Sequence, residues 1–162
     1  MKNSYEVRAQ KFIRQISSYL DSMTTHDDRA FAVDCFNLDY NRKVRYAHGM
    51  TRYALITSDY VVKVDYAVTR WGNCEDEMEL YEEAKQDGFE YLFAKISRYD
   101  YNGTAFYIMP RIHGIGKTDW DADEYLTEDE NDWVYEHVCD LHNENYGWAN
   151  GHVVIFDYAA RC

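Results

Sequence analysis

The stretch Cys139-Asp140-Leu141-His142-Asn143-Glu144-Asn145, continuing through Tyr146-Gly147-Trp148-Ala149-Asn150-Gly151-His152 to Val153-Val154-Ile155-Phe156-Asp157, decides how this 162-residue chain is read. Asn150-Gly151 is a dipeptide that accepts positive φ at both central positions of a two-residue turn. The apolar run after it is therefore predicted to return as the second strand of a hairpin. Such a hairpin delivers Asp157 at its far end, where Asp140, Asn145 and Asp157 are expected to converge. Phosphoryl transfer needs a set of this kind: one carboxylate to orient and deprotonate an acceptor hydroxyl, and oxygen ligands to hold magnesium on nucleotide phosphates. Taken alone, an Asp-x-x-x-x-Asn is commonplace, and either residue reads equally well as a turn cap.

Working outward, Thr127 and Glu130 form a capping box ahead of Trp133, Val134, His137, Val138 and Leu141, which predicts a helix running toward Cys139. His137 reads as a packing residue of that helix; it and His142 are five apart and do not share a helix face for a metal. Further upstream, Asn102-Gly103 separates KISRYDY from TAFYIM, a second hairpin. Asn73, the acidic turn Glu75-Asp76-Glu77, then Met78, Leu80, Tyr81 and Ala84, and finally Gly88, mark a capped helix of about four turns. From Lys43 to Tyr66 the short runs VRYA, YALI and YVVKVDY predict an antiparallel meander. Residues 4 to 23 place Phe12, Ile13, Ile16, Tyr19, Leu20 and Met23 at helical spacing, with Asn3 and Glu6 placed to cap that helix. The order is helix, three strands, helix, hairpin, helix, loop, hairpin.

With these elements in place, the chain resembles the protein kinase-like superfamily, including aminoglycoside phosphotransferase-type enzymes and the short kinase-like proteins of phages and bacteria. Asp140 to Asn145 matches the spacing of the catalytic loop H-R-D-L-x-x-x-N, and Asp157-Tyr158-Ala159 stands where the family has D-F-G. The resemblance implies Asp140 as catalytic base, Asn145 and Asp157 as metal ligands, and His142, in a DLH arrangement, near the γ-phosphate. Tyr60-Val61-Val62-Lys63 resembles V-A-I-K, which implies that Lys63 steadies the α- and β-phosphates and pairs with an acid of the following helix. Glu77 is the choice for that acid, because Leu80, Tyr81 and Ala84 at +3, +4 and +7 set it beside the buried stripe; Glu79 is second. Phe106-Tyr107-Ile108-Met109-Pro110-Arg111 would lead into the hinge that holds adenine, and Gly49 is what remains of a glycine-rich loop.

The chain departs from the family at several points. Val138 and Cys139 replace the His and Arg of H-R-D, and Tyr158-Ala159 replace Phe-Gly. It ends five residues after Asp157, so the resemblance implies a truncated C-lobe. The N-terminal helix or a second chain is expected to replace part of the missing platform, and a homodimer is among the expected partners. The expected fold is α+β: residues 1–42 an N-terminal helical extension, 43–112 a five-stranded antiparallel N-lobe with one helix, and 113–162 a much reduced C-lobe, in a single unit. The function implied is ATP- and magnesium-dependent phosphoryl transfer, by a serine/threonine-type protein kinase or a related phosphotransferase, to a host protein if the chain is phage-encoded. The alternative is a pseudokinase-like or DNA-mimic-like protein that inhibits a host factor by binding.

Composition narrows the partners. Lys and Arg number 17 against 29 Asp and Glu, a net charge of −12, which argues against nucleic acid or an anionic membrane as a simple electrostatic partner. The four cysteines include no C-x-x-C pair, so neither a zinc knuckle nor a thioredoxin-like site is indicated. Free thiols in a reducing cytoplasm are the default, and no segment has the apolar length of a signal or a bilayer span. Asp119, Asp121, Asp123 and Glu130 fall on positions 1, 3, 5 and 12 of a calcium loop, yet position 6 is Glu124 where the sharp turn requires glycine. A solvated acidic loop accounts for that segment better.

Overall fold

Helix α1 (Tyr5–Leu20) buries Ala9, Phe12, Ile13, Ile16 and Ser17 along one face, as its periodicity predicts. The computed structural model of the protein describes residues 4–66, 72–113, 122–139, 141 and 144–158. Ser4, without a side-chain cap bond, is the N-cap of α1, where Asn3 with Glu6 was expected; Asn3 lies outside the described residues. The chain divides into two compact units, Met1–Val68 with Ser97–Arg111 and Thr69–Ile96 with Ile112–Cys162. The sequence-level division at 43 and 113 follows chain order, whereas these units interleave.

In the first unit, a helix that the sequence did not announce, α2 (His26–Tyr40), follows α1. Thr25 caps it by accepting the Asp28 N–H at 3.1 Å, and Asp27 and Asp28 suit the positive end of the helix dipole. Its ring Phe36 is fully buried and meets Phe12 and Tyr19 edge-on, each at 5.5 Å, while stacking on Tyr40 at 4.7 Å. Asn37 then clamps Val44, donating to its carbonyl at 2.8 Å and accepting its N–H at 2.9 Å, which aims the chain into the sheet.

The sheet comprises β1 (Arg45–His48), β2 (Arg52–Ile56), β3 (Tyr60–Asp65), β4 (Ser97–Tyr101) and β5 (Thr104–Pro110) in the order β1-β2-β3-β5-β4. All pairs are antiparallel, and the five-stranded sheet is the one the sequence predicts. Asn102 and Gly103 take φ of 49° and 78°, the conformation for which the turn dipeptide was read. Side chains alternate across the pleat. Tyr53, Leu55, Tyr60, Val62, Val64, Phe106 and Ile108 lie on the face that packs with α1 and α2 into one core.

The second unit holds α3 (Cys74–Asp87), α4 (Glu128–His137) and the hairpin of β6 (Tyr146–Ala149) and β7 (His152–Ile155), with 3-10 turns at Glu90–Leu92 and Ala122–Tyr125. Both helices start with reciprocal capping boxes, Asn73 with Asp76 and Thr127 with Glu130, and Gly88 ends α3 at φ 85°. Trp133 knits this unit together: its ring lies 5.5 Å from Phe89 and 5.6 Å from Phe93, and its indole N–H donates to Asp87 at 2.9 Å. His137 stacks on Trp133 at 4.0 Å, the packing role expected of it. Gly147 in β6 permits a close backbone approach, since a Cβ there would stand 2.2 Å from the His113 carbonyl oxygen.

Cys35 and Cys74 are free thiols, but Cys139 is disulfide-bonded, which corrects the expectation of a free thiol at that position. Among the described residues no helix is long and apolar enough to cross a membrane. Among the described residues the architecture is α+β, with a five-stranded antiparallel sheet, one α-helix and a 3-10 turn between β3 and β4, and a small helix-plus-hairpin portion after β5.

Candidate active site

The β6–β7 register pairs Tyr146 with Ile155, so Asn145 on one side and Phe156-Asp157 on the other flank the open end of the hairpin. The Asn145 carbonyl closes that end, accepting the Phe156 N–H at 2.8 Å and the Asp157 N–H at 3.4 Å. Asn145 is buried although polar. Asn145 and Asp157 are thus neighbours, as the Asn-Gly turn predicted. Two hard oxygen donors of this kind suit magnesium, which retains waters and draws its other ligands from phosphates. Asp140 and His142 lie outside the described residues, as do Asp119 and Asp121 of the weighed calcium loop.

Helix α3 reaches the same segment. Glu77 is fully buried on α3, and its Oε1 accepts the Tyr158 N–H at 3.3 Å. Glu79, the second choice, is exposed, so helical periodicity selected the inward carboxylate. Tyr158 is held at its other end too: its hydroxyl donates to the Ala94 carbonyl at 2.7 Å and its ring stands edge-on to Phe93 at 5.0 Å. Ala94 in turn donates its N–H to Ile155 at 2.8 Å, beside a parallel bridge between Phe93 and Ile155. Sequence reasoning treated Tyr158 only as a departure from Phe. Its hydroxyl supplies a buried anchor that phenylalanine lacks.

In the first unit, Lys63 sits on β3 opposite Ala54 of β2 and Tyr107 of β5. It is 7% exposed, an unusual burial for lysine. By alternation it shares its sheet face with Val61, Ile56, Tyr107 and Met109, away from the α1–α2 core. Lys63 and Met109 are therefore brought to one face. Arg111 braces the turn before β3, because its N–H donates to the Asp59 carbonyl at 3.0 Å and its guanidinium to the Thr57 carbonyl at 2.6 Å. An adenine at a hinge here would not find the Arg111 N–H unengaged. Gly49 donates to the Arg52 carbonyl across the β1–β2 turn at 2.9 Å, and a Cβ at that position would meet nothing closer than 3.9 Å.

No family model and no curated protein sequence matches the chain. Among solved structures, it is similar to the Legionella pneumophila Lpg2603 kinase bound to IP6, at 17% identity, covering 76% of this chain and 50% of that one, with a TM-score of 0.48. It is also similar to the bifunctional kinase-methyltransferase WbdD, at 17% identity, 69% and 30% coverage and a TM-score of 0.37. A third is the streptomycin-ATP-APH(2'')-IIa ternary complex, at 22% identity, 74% and 42% coverage and a TM-score of 0.36. The chain spans half or less of the length of each. The chain's own elements are an antiparallel five-stranded sheet with a buried lysine on β3, a capped helix with a buried glutamate, and a hairpin flanked by Asn145 and Asp157, in an α+β fold.

Proposed function

We propose that the protein is an ATP- and magnesium-dependent phosphotransferase of kinase type acting on a hydroxyl of a host protein. The observation that carries this reading is the closure of the β6–β7 hairpin, which makes Asn145 and Asp157 neighbours through the Asn145 carbonyl. In this reading those two residues hold magnesium on the nucleotide, Asp140 takes the acceptor proton, and His142 approaches the γ-phosphate. Lys63 steadies the α- and β-phosphates, and Glu77 fixes the Tyr158 backbone and is the acid assigned to Lys63. Magnesium supplies charge neutralisation on the phosphates; the chain supplies orientation and proton acceptance, which account for most of catalysis in this chemistry.

Titration with ATP, with and without magnesium, followed by thermal unfolding tests the reading. A ligand that binds only the folded protein stabilises it by about 2.7 kcal/mol at a hundred times its Kd. Wild type should respond, whereas Lys63→Ala and Asp157→Ala should not; equal responses in all three refute the site. The runner-up, a kinase-like protein that acts by binding a basic partner, draws on the acidity of the second unit. Its Thr69–Ile96 and Ile112–Cys162 stretches hold twenty Asp and Glu against five Lys and Arg. Asp140→Asn separates the two, because it abolishes turnover and leaves a binding activity intact.

A further inference from the structure

The acidity of the chain is not shared by its first unit, whose two stretches carry twelve Lys and Arg against nine Asp and Glu. Four of those cations surround one cavity of about 440 Å³: Arg8 and Lys11 from α1, and Arg42 and Lys43 from the link between α2 and β1. Its remaining wall is the turn Thr57-Ser58-Asp59, and its floor includes Phe12, Val44 and Tyr60. Of the four cations Arg8 is paired, with Asp59 at 3.0 Å. Lys11, Arg42 and Lys43 form no ion pair with any described carboxylate. In a chain with 29 Asp and Glu, three uncompensated cations on one cavity repel one another, and a bound anion would relieve that repulsion.

The valence and shape of the anion follow from the lining. Four cations against one carboxylate leave three positive charges, too many for a single carboxylate ligand to balance. A phosphate group carries about two charges near neutrality, and arginine's planar fork matches its oxygens while lysine acts as a point charge. The hydroxyls of the turn are already committed, Thr57 to the Tyr60 carbonyl and Ser58 to Asp59, each at 2.8 Å, so recognition falls to the cations. Burial pushes the Tyr60 phenol up, and Arg42 and Arg8 both oppose that shift, so their fields meet at the cavity floor. We propose that this cavity binds a multiply charged phosphate group, as a phosphomonoester or pyrophosphate moiety. It is distinct from the nucleotide site of the proposed function, because Tyr60 faces the α1–α2 core and Lys63 the opposite face of the same strand.

The test is isothermal titration with inorganic pyrophosphate, without magnesium and at fixed ionic strength. Binding should persist in Lys63→Ala and weaken roughly tenfold or more in Arg42→Gln/Lys43→Gln, the loss expected for charge-assisted hydrogen bonds. The substituted residues are exposed, and circular dichroism checks that the variants keep the fold. Tighter binding of phosphoserine or phosphotyrosine than of pyrophosphate would assign the source to a modified protein, and the reverse order to a small molecule. The proposal is overturned by no binding in wild type, by undiminished affinity in Arg42→Gln/Lys43→Gln, or by loss of binding in Lys63→Ala. The last result would move pyrophosphate to the nucleotide site and leave the proposed function standing.

Discussion

Replacing Gly147 by alanine should destabilise the second unit, and the structure sets the scale. The new Cβ would stand 2.2 Å from the His113 carbonyl oxygen and 2.8 Å from both the His113 carbonyl carbon and Ile112 Cγ2. Restoring ordinary van der Waals separation requires a retreat of about 1 Å, and the obstacle is largely backbone. Overpacking of this kind costs about 1–3 kcal/mol. The retreat also breaks the bond from the Trp148 N–H to the His113 carbonyl, already long at 3.4 Å, worth about 1 kcal/mol. Alanine returns about 0.4–1 kcal/mol by restricting the unfolded chain, leaving a net loss of about 1–3.5 kcal/mol. Gly49→Ala is the control, since its Cβ would meet only the Arg52 carbonyl oxygen at 3.9 Å, and it should leave stability unchanged or raise it by up to about 1 kcal/mol. Trp133 and Trp148 belong to the second unit, so urea unfolding followed by tryptophan fluorescence reports that unit, and far-UV circular dichroism followed in parallel reads the control in the first unit. With a slope of about 2 kcal/mol per molar urea, the midpoint should fall by about 0.5–1.8 M. A Gly147→Ala midpoint matching that of Gly49→Ala would refute the close-approach argument.

Two further outcomes are expected. Phe36→Ala should cost about 3–5 kcal/mol, because a fully buried ring held against Phe12, Tyr19 and Tyr40 leaves a cavity between two helices and a sheet; a loss below about 1 kcal/mol by chemical denaturation would contradict the core assignment. Tyr53, Tyr66 and Tyr91, raised chiefly by burial, and Tyr19, raised chiefly by its hydrogen bond to Asp39, are pushed up to about 12. A phenol raised in the folded state binds its proton more tightly than in the unfolded chain. Its stabilisation is therefore complete below about pH 10 and declines as pH rises toward 12. Spectrophotometric titration should resolve these phenols from the rest and show Asp39→Asn lowering Tyr19, whereas sixteen tyrosines ionising together would contradict it.

The parts of the fold that were legible in the sequence are those fixed by local chemistry. Asn102-Gly103 and Asn150-Gly151 specify their own turns by accepting positive φ. Asn73 with Asp76 and Thr127 with Glu130 satisfy the helix-start N–H groups without help from elsewhere. Helix α2 was missed because Phe31 and Leu38 are 71% and 83% exposed while Ala32, Val33 and Phe36 face the core, so no single apolar stripe marks it. At the candidate site, helical spacing distinguished buried Glu77 from exposed Glu79, and turn chemistry foresaw the pairing of Asn145 with Asp157. The cluster of Arg8, Lys11, Arg42 and Lys43 was invisible, because its members are close only after α1 and the α2–β1 link pack on the sheet. The bracing role of Arg111 was hidden for the same reason: its partners, Thr57 and Asp59, lie more than fifty positions upstream.

The sheet order β1-β2-β3-β5-β4 has a consequence for how the chain is made. Once residue 65 has left the ribosome, β3 has β2 on one side and an unpaired row of N–H and C=O groups on the other. Its second partner, β5, ends at Pro110, and at about 5–20 residues per second the missing strand arrives some 2–9 seconds later. During that interval α1 and α2 already shelter one face of the half-built sheet, while the strand edge is a template for pairing with any neighbouring nascent chain. Slowing translation between codons 66 and 104 would lengthen the exposure and lower the soluble yield, without altering a single residue of the finished protein.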